Sequence, residues 1–161
     1  MNNEHPDGKK IHYLTLEGKQ KLEAELQELK NEGRKALAER LKSAISMGDL
    51  SENADYHKAK EDQGFLEGRI QEIEAILFNS EIIENRSNYD TVAVGAKVTI
   101  EEQGYPSETY HLVGSQEANP REGKISHESP IGNALIGHKV GDTVRAVLPN
   151  GSIMLKILAI E

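Results

Sequence analysis

Gly48-Asp-Leu-Ser-Glu-Asn53 stands between two long stretches of helical periodicity, and the fold follows from reading it as the bend where the chain reverses. Gly48 suits the end of an incoming helix, because glycine takes the left-handed conformation without a Cβ penalty. Asp49 is placed to cap the outgoing helix, and Glu52 falls three residues later, as a capping box requires. Two carboxylates therefore crowd the point of a helical hairpin, and Asp55 adds a third in the same turn.

Upstream, Thr15 reads as an N-cap followed by good helix formers. Leu22, Leu26, Leu29, Gly33, Leu37, Leu41 and Ala44 form one stripe. Its run of fours from Leu29 to Leu41 is a stutter, which locally unwinds a left-handed supercoil. No proline interrupts Leu16 to Met47, which predicts a helix of roughly 45–50 Å at about 1.5 Å per residue. Downstream, Tyr56, Ala59, Gln63, Leu66, Ile70, Ile73 and Leu77 alternate spacings of three and four, a heptad seam. Each stripe can pack on its neighbour in the chain or on another subunit; the tight Gly-Asp turn and matched lengths favour the intramolecular antiparallel hairpin. The seam is small or polar near the bend and rich in Leu and Ile at the open end. Burial should hold the open end, and helix propensity with local pairs the other, giving a projecting finger.

Beyond Asn85 the periodicity changes to two. Val92, Val94, Ala96, Val98 and Ile100 predict one strand, Tyr110 to Val113 a second after a Gly104-Tyr-Pro turn, and Lys124-Ile-Ser a short third. Val144, Ala146 and Leu148 lead through Pro149-Asn-Gly151 into a last strand ending at Ile160. One helix interrupts them, with Ser129 as N-cap, Pro130 at its first position and Gly137 at its end. The predicted class is α+β. Residues 1–13 form a loose extension with a short extended piece at Ile11-His-Tyr13, 14–84 the coiled-coil hairpin with its tip at 48–53, 85–90 a linker, and 91–161 a small antiparallel sheet with one short helix.

Composition agrees with a modest core and a long wet element: 37% of residues are hydrophobic, 4% are aromatic, and Trp is absent. With no Cys there are no disulfides or thiolate metal sites, which fits a reducing compartment. No apolar run approaches the ~20 residues that span a bilayer, and Met1 to Lys10 lack the apolar core of a signal peptide. A cytoplasmic location without membrane contact is expected. Net charge is −8, with acids in excess on both sides of Asn88, so neither half reads as a free-standing binder of duplex nucleic acid.

Asp49 and Glu52 read two ways, as a helix cap alone or as metal ligands. Two carboxylates suit Mg²⁺, a hard ion that takes oxygen ligands, but they fill only part of an octahedral shell. The remaining ligands would come from a partner or from substrate phosphate, and the free protein is expected to hold no ion. Arg34, Lys35, Arg40, Lys42, Lys58 and Lys60 are either the solvated face of a coiled coil or guides for a nucleic-acid strand. Tyr56 is either a seam residue or a stacking platform. The six His have no zinc spacing, no phosphate-cradling Gly loop occurs, and no Ser, His and Asp grouping is readable. No self-contained active site and no small-molecule substrate are expected.

Gly48-Asp-Leu-Ser-Glu-Asn-Ala-Asp-Tyr-His57 followed by Gln63-Gly-Phe-Leu-Glu-Gly-Arg-Ile70 resembles the bacterial transcript cleavage factors of the GreA type. Ile125 to Ile131, Ala134 to Gly137 and Val140-Gly-Asp142 are similar to that family's C-terminal domain, so the resemblance runs from about Leu14 to Glu161. It implies an FKBP-like fold for residues 91–161 and RNA polymerase as the partner. The finger would enter the polymerase's secondary channel and reach the 3′ end of backtracked nascent RNA. There Asp49 and Glu52, supplied in trans, would help hold the second Mg²⁺ of the catalytic centre, and the polymerase would cut its own transcript. Ser51, Asn53, Tyr56, Arg40 and Lys42 are the expected RNA or polymerase contacts near the tip; Glu128, Ser129 and Pro130 are the expected docking element. The chain is thus expected to be a non-catalytic activator. Asp55 departs from the pattern, standing where Glu is common. Two alternatives stay open: a polymerase-binding inhibitor or adaptor that stimulates no cleavage, and a prolyl isomerase carried by residues 89–161, which offer no Phe or Trp for the aromatic floor of such a pocket.

Overall fold

The computed structural model describes residues 10–49, 51–84, 86 and 88–161. The chain forms two compact units: one takes the residues up to Lys19 together with Ser80–Glu161, the other Gln20–Asn79.

The second unit is the helical hairpin. Helix α1 (Leu16–Glu28) passes through a π-helical turn at Leu29–Gly33 into α2 (Arg34–Ser46), and α3 (Ala54–Phe78) returns. The stutter is thus gathered into a single wide turn. Such a turn takes more residues per revolution, so positions four apart come back nearly in line instead of drifting across the helix. Gly33 lies in it facing Leu66, whose Cδ1 would stand 3.1 Å from a Cβ at that position. Leu22, Leu26, Leu37 and Ala44 are buried on one arm and Ala59, Ile70, Ile73 and Ile76 on the other. At the open end the buried residue is Ile76 and the predicted Leu77 is only half-buried. Cross-helix ion pairs flank the seam: Arg69–Glu25 at 2.8 Å, Lys30–Glu74 at 2.5 Å, Arg34–Glu67 at 2.7 Å and Arg40–Asp62 at 2.8 Å.

In the other unit, β1 (His12–Leu14) pairs in parallel with β2 (Ser80–Ile82), Tyr13 opposite Glu81. Five more strands, β3 (Lys97–Glu102), β4 (Glu108–Val113), β5 (Lys124–Ser126), β6 (Thr143–Leu148) and β7 (Gly151–Ile160), form a sheet in the order β5-β4-β3-β7-β6. Helix α4 (Pro130–Leu135) follows β5. Ala96, Val98, Ile100, Leu112, Leu135, Val144, Ala146, Leu155 and Ile157 are its buried core, joined by Val92.

The structure refines the expectations at four points. The short extended piece expected at Ile11-His-Tyr13 is a strand over residues 12–14, one position further on; residues 1–9 lie outside the described residues, as do 50, 85 and 87 of the expected tip and linker. The units divide at 19/20 and 79/80, whereas the linker was placed at 85–90. The cause is local bonding: Ile83 N–H donates to Leu14 O at 2.8 Å, and the Glu117 carboxylate accepts from Thr15 N–H at 2.7 Å and Thr15 Oγ1 at 2.5 Å. Thr15 Oγ1 in turn accepts from Gly18 N–H at 3.0 Å, the expected N-cap. The alternating stretch from Val92 is not all strand. Gly95, at φ +100°, breaks it, and the ladder starts only at Lys97. Finally, the sheet is antiparallel except for β5, which runs parallel to β4.

Candidate functional site

The tip begins where α2 runs out. Met47 closes its last turn by donating its N–H to Ala44 O at 3.2 Å, and Gly48 follows at φ +123°, a conformation that a side chain would strain. Asp49 does not cap α3, contrary to the capping-box reading. Its Oδ1 accepts from Ser51 N–H at 3.0 Å and from Ser51 Oγ at 2.9 Å, a local turn that uses the carboxylate before the helix starts. These two bonds, the backbone one foremost, hold the Asp49 carboxyl below its ordinary range. The cap is Asn53, in extended conformation at φ −85° and ψ 98°, whose side chain accepts from Tyr56 N–H at 3.0 Å. Glu52 therefore precedes the helix, and both it and Asp49 are exposed.

The remaining predicted tip residues divide by what they already touch. Ser51 fixes Asp49, and its carbonyl oxygen lies 3.4 Å from His57 Nε2. Tyr56 is half-buried, and its ring meets that of His57 edge-on at 5.7 Å between centroids. Sequence reading passed over His57 because a lone histidine without ligand spacing carries no signal. Arg40 is engaged across the hairpin with Asp62, Arg34 makes two bonds to Glu67 at 2.8 and 2.7 Å, and Lys58 lies 2.9 Å from Glu61. Lys35 and Lys42 are exposed.

The expected docking residues lie in the other unit. Ser129 Oγ accepts from Gly132 N–H at 3.1 Å and Pro130 occupies the first turn of α4, so both are occupied in starting that helix. The Glu128 carboxylate lies 2.8 Å from Lys10 Nζ and accepts from Ser115 Oγ; Lys10 first, then Ser115, lowers its pKa. The structure thus brings Asp49, Ser51, Glu52, Asn53 and Tyr56 together in one unit and Glu128, Ser129 and Pro130 in the other.

For a metal ion the tip offers carboxylate oxygens, the donor type that Mg²⁺ takes. Among the described residues no three His, Asp or Glu side chains gather into a candidate metal cage. The donor set at the tip fits a share of such an ion's shell.

Two family models match the chain: the GreA/GreB transcription elongation factor N-terminal domain over residues 12–82, and the GreA/GreB C-terminal domain over residues 86–161. The chain belongs to the GreA/GreB family of transcription elongation factors. It is similar to the transcription elongation factor GreA of Acetivibrio thermocellus, 48% identical over 150 residues that cover 92% of this chain and 94% of that one. The corresponding protein of Halalkalibacterium halodurans is 49% identical over 154 residues, covering 94% and 98%. A crystal structure of GreA factor homolog 1 of Thermus thermophilus is 28% identical and covers 94% of this chain and 99% of that one, at a TM-score of 0.44 that carries no argument about the fold. Among the described residues of this GreA/GreB member, no helix is long and apolar enough to cross a membrane.

Proposed function

We propose that the chain binds RNA polymerase, passes the hairpin tip into the secondary channel, and stimulates the polymerase's own cleavage of the 3′ end of backtracked RNA, so that arrested complexes resume elongation. The observation that carries this reading is the exposed Asp49 carboxylate, fixed by Ser51, on a bend that also exposes Glu52. Family membership supplies the context.

Asp49 and Glu52 would hold Mg²⁺ together with oxygens of the polymerase and of RNA phosphate. When bound, the ion supplies an activated water and stabilises the charge of in-line phosphodiester cleavage. The chain's own part is positional. Ser51 confines the Asp49 carboxylate through two hydrogen bonds. Lys42 remains available to a phosphate. Glu128, Ser129 and Pro130 would dock on the polymerase from the other unit. The chain is then an activator with no active site of its own, at work in the cytoplasm where transcription occurs.

The test adds the protein to a purified backtracked elongation complex with Mg²⁺ and follows end-labelled RNA. Shortened RNA and resumed synthesis are expected. Polymerase binding with no gain in cleavage would instead establish the inhibitor or adaptor.

A further inference from the structure

The amide of Asn53 is bonded at both ends, and each bond goes to a different helix. Oδ1 accepts from Tyr56 N–H at 3.0 Å, satisfying one of the unpaired N–H groups at the start of α3. Nδ2 donates to Ala44 O at 2.7 Å, a carbonyl in the last turn of α2 that also accepts from Met47 N–H at 3.2 Å. The two partners fix the orientation of the amide, because only its oxygen can meet an N–H and only its nitrogen a carbonyl. One side chain therefore caps the arriving and the departing helix at once.

Few residues offer both functions at this reach. Asp caps as well but has no donor when ionised; Ser caps as well but is too short to reach a second helix. Near the tip the seam supplies little burial to do the same work, since among the described residues Ala44 and Ala59 are the ones buried there. Asp49 and Glu52 lie in the loop that this clasp closes, between the Ala44 carbonyl and Asn53.

We infer that Asn53 is a positioning residue for the tip carboxylates: by joining the end of α2 to the start of α3 it sets where Asp49 and Glu52 stand, and it does not itself contact RNA or polymerase. This assignment rests on the function proposed above and replaces the direct contact that the sequence suggested for Asn53. Its consequence is kinetic. Loosening the clasp leaves docking intact and misplaces the metal ligands, and a misplacement of about 1 Å can cost a hundredfold in rate.

The experiment compares wild type, Asn53→Ser and Asn53→Asp in RNA cleavage by a backtracked polymerase complex, varying factor and Mg²⁺ concentrations, with circular dichroism melts of each protein. Both variants keep an N-cap oxygen and lose the bond to Ala44. Maximal cleavage at saturating factor should fall about ten- to a hundredfold. The half-saturating factor concentration should stay within about twofold, and raised Mg²⁺ should restore part of the Asn53→Ser rate, a response that a merely structural lesion does not give. Wild-type maximal rates in both variants would overturn the inference alone. So would a loss confined to the half-saturating concentration, which marks a direct contact, or a loss that tracks a fall in helix content. If wild type itself adds no cleavage, the proposed function fails and the inference goes with it.

Discussion

The two ends of the hairpin are held by different forces. At the open end, Leu22, Leu26, Ile70, Ile73 and Ile76 are buried, and branched side chains set the register by filling space. Towards the bend the buried seam residues, among those described, shrink to Ala44 and Ala59, and directional contacts take over: Arg40 with Asp62, Asn53 with Ala44 O and Tyr56 N–H, Ser51 with Asp49. Burial is strong and tolerant of small angular error; hydrogen bonds are weaker but fix direction. An end that must present two carboxylates in water gains more from the second kind. The contrast separates stability, stored at the open end, from geometry, stored at the tip.

The sharpest way to break that contrast is at Asp49. On the proposed function, Asp49→Asn should lower stimulated RNA cleavage by about a hundredfold or more while shifting the melting curve only slightly, because an amide keeps the turn and loses an exposed charge, but removes the proposed anionic ligand. A parallel loss of stability would put geometry and stability back in one place. At the open end, Ile73→Ala should do the reverse, costing about 2–5 kcal/mol in urea unfolding. The same kind of cut nearer the bend, Ala59→Gly, should cost only about 1 kcal/mol. Equal losses at the two positions would mean that burial holds both ends alike.

Charge should matter least to stability. Arg40→Ala is expected to change unfolding less than Ala59→Gly does, with the difference vanishing in about 1 M salt, because the pair with Asp62 is exposed and screened. The carboxyls of Asp62 and Glu67 are lowered chiefly by hydrogen bonds from Arg40 and Arg34, and that of Asp49 by Ser51. Groups depressed in the fold contribute stability above the ordinary carboxylate range and lose it as pH falls through their folded values. Urea midpoints should therefore be flat from about pH 6 to 8 and decline below about pH 4, less steeply in Asp62→Asn.

Much of this was legible in the chain. The stripe from Leu22 to Ala44, the seam from Ala59 to Ile73, Gly48 at the bend, and Ser129-Pro130 opening α4 are local patterns with local causes. Asp49 and Glu52 were legible as exposed acids, but their relation to the helix was not. A capping box at Asp49 and a cap at Asn53 both satisfy the spacing rules. The choice falls to Asn53 because Ala44 O, nine residues earlier, stands ready for its second bond. The pairing of β1 with β2 was hidden for a like reason: three-residue strands have almost no period, and Tyr13 and Glu81 are remote in sequence.

The sequence by itself determined the two helical arms, the bend between them, the strands that follow and the two acids at the turn. Periodicity, glycine conformation and charge are properties of neighbouring residues. Only the tertiary structure decided which side chain closes the tip, where the stutter unwinds, and that residues 10–19 belong with the sheet. Each of those depends on groups far apart in the chain meeting at hydrogen-bonding or packing distance, and no local pattern encodes that meeting.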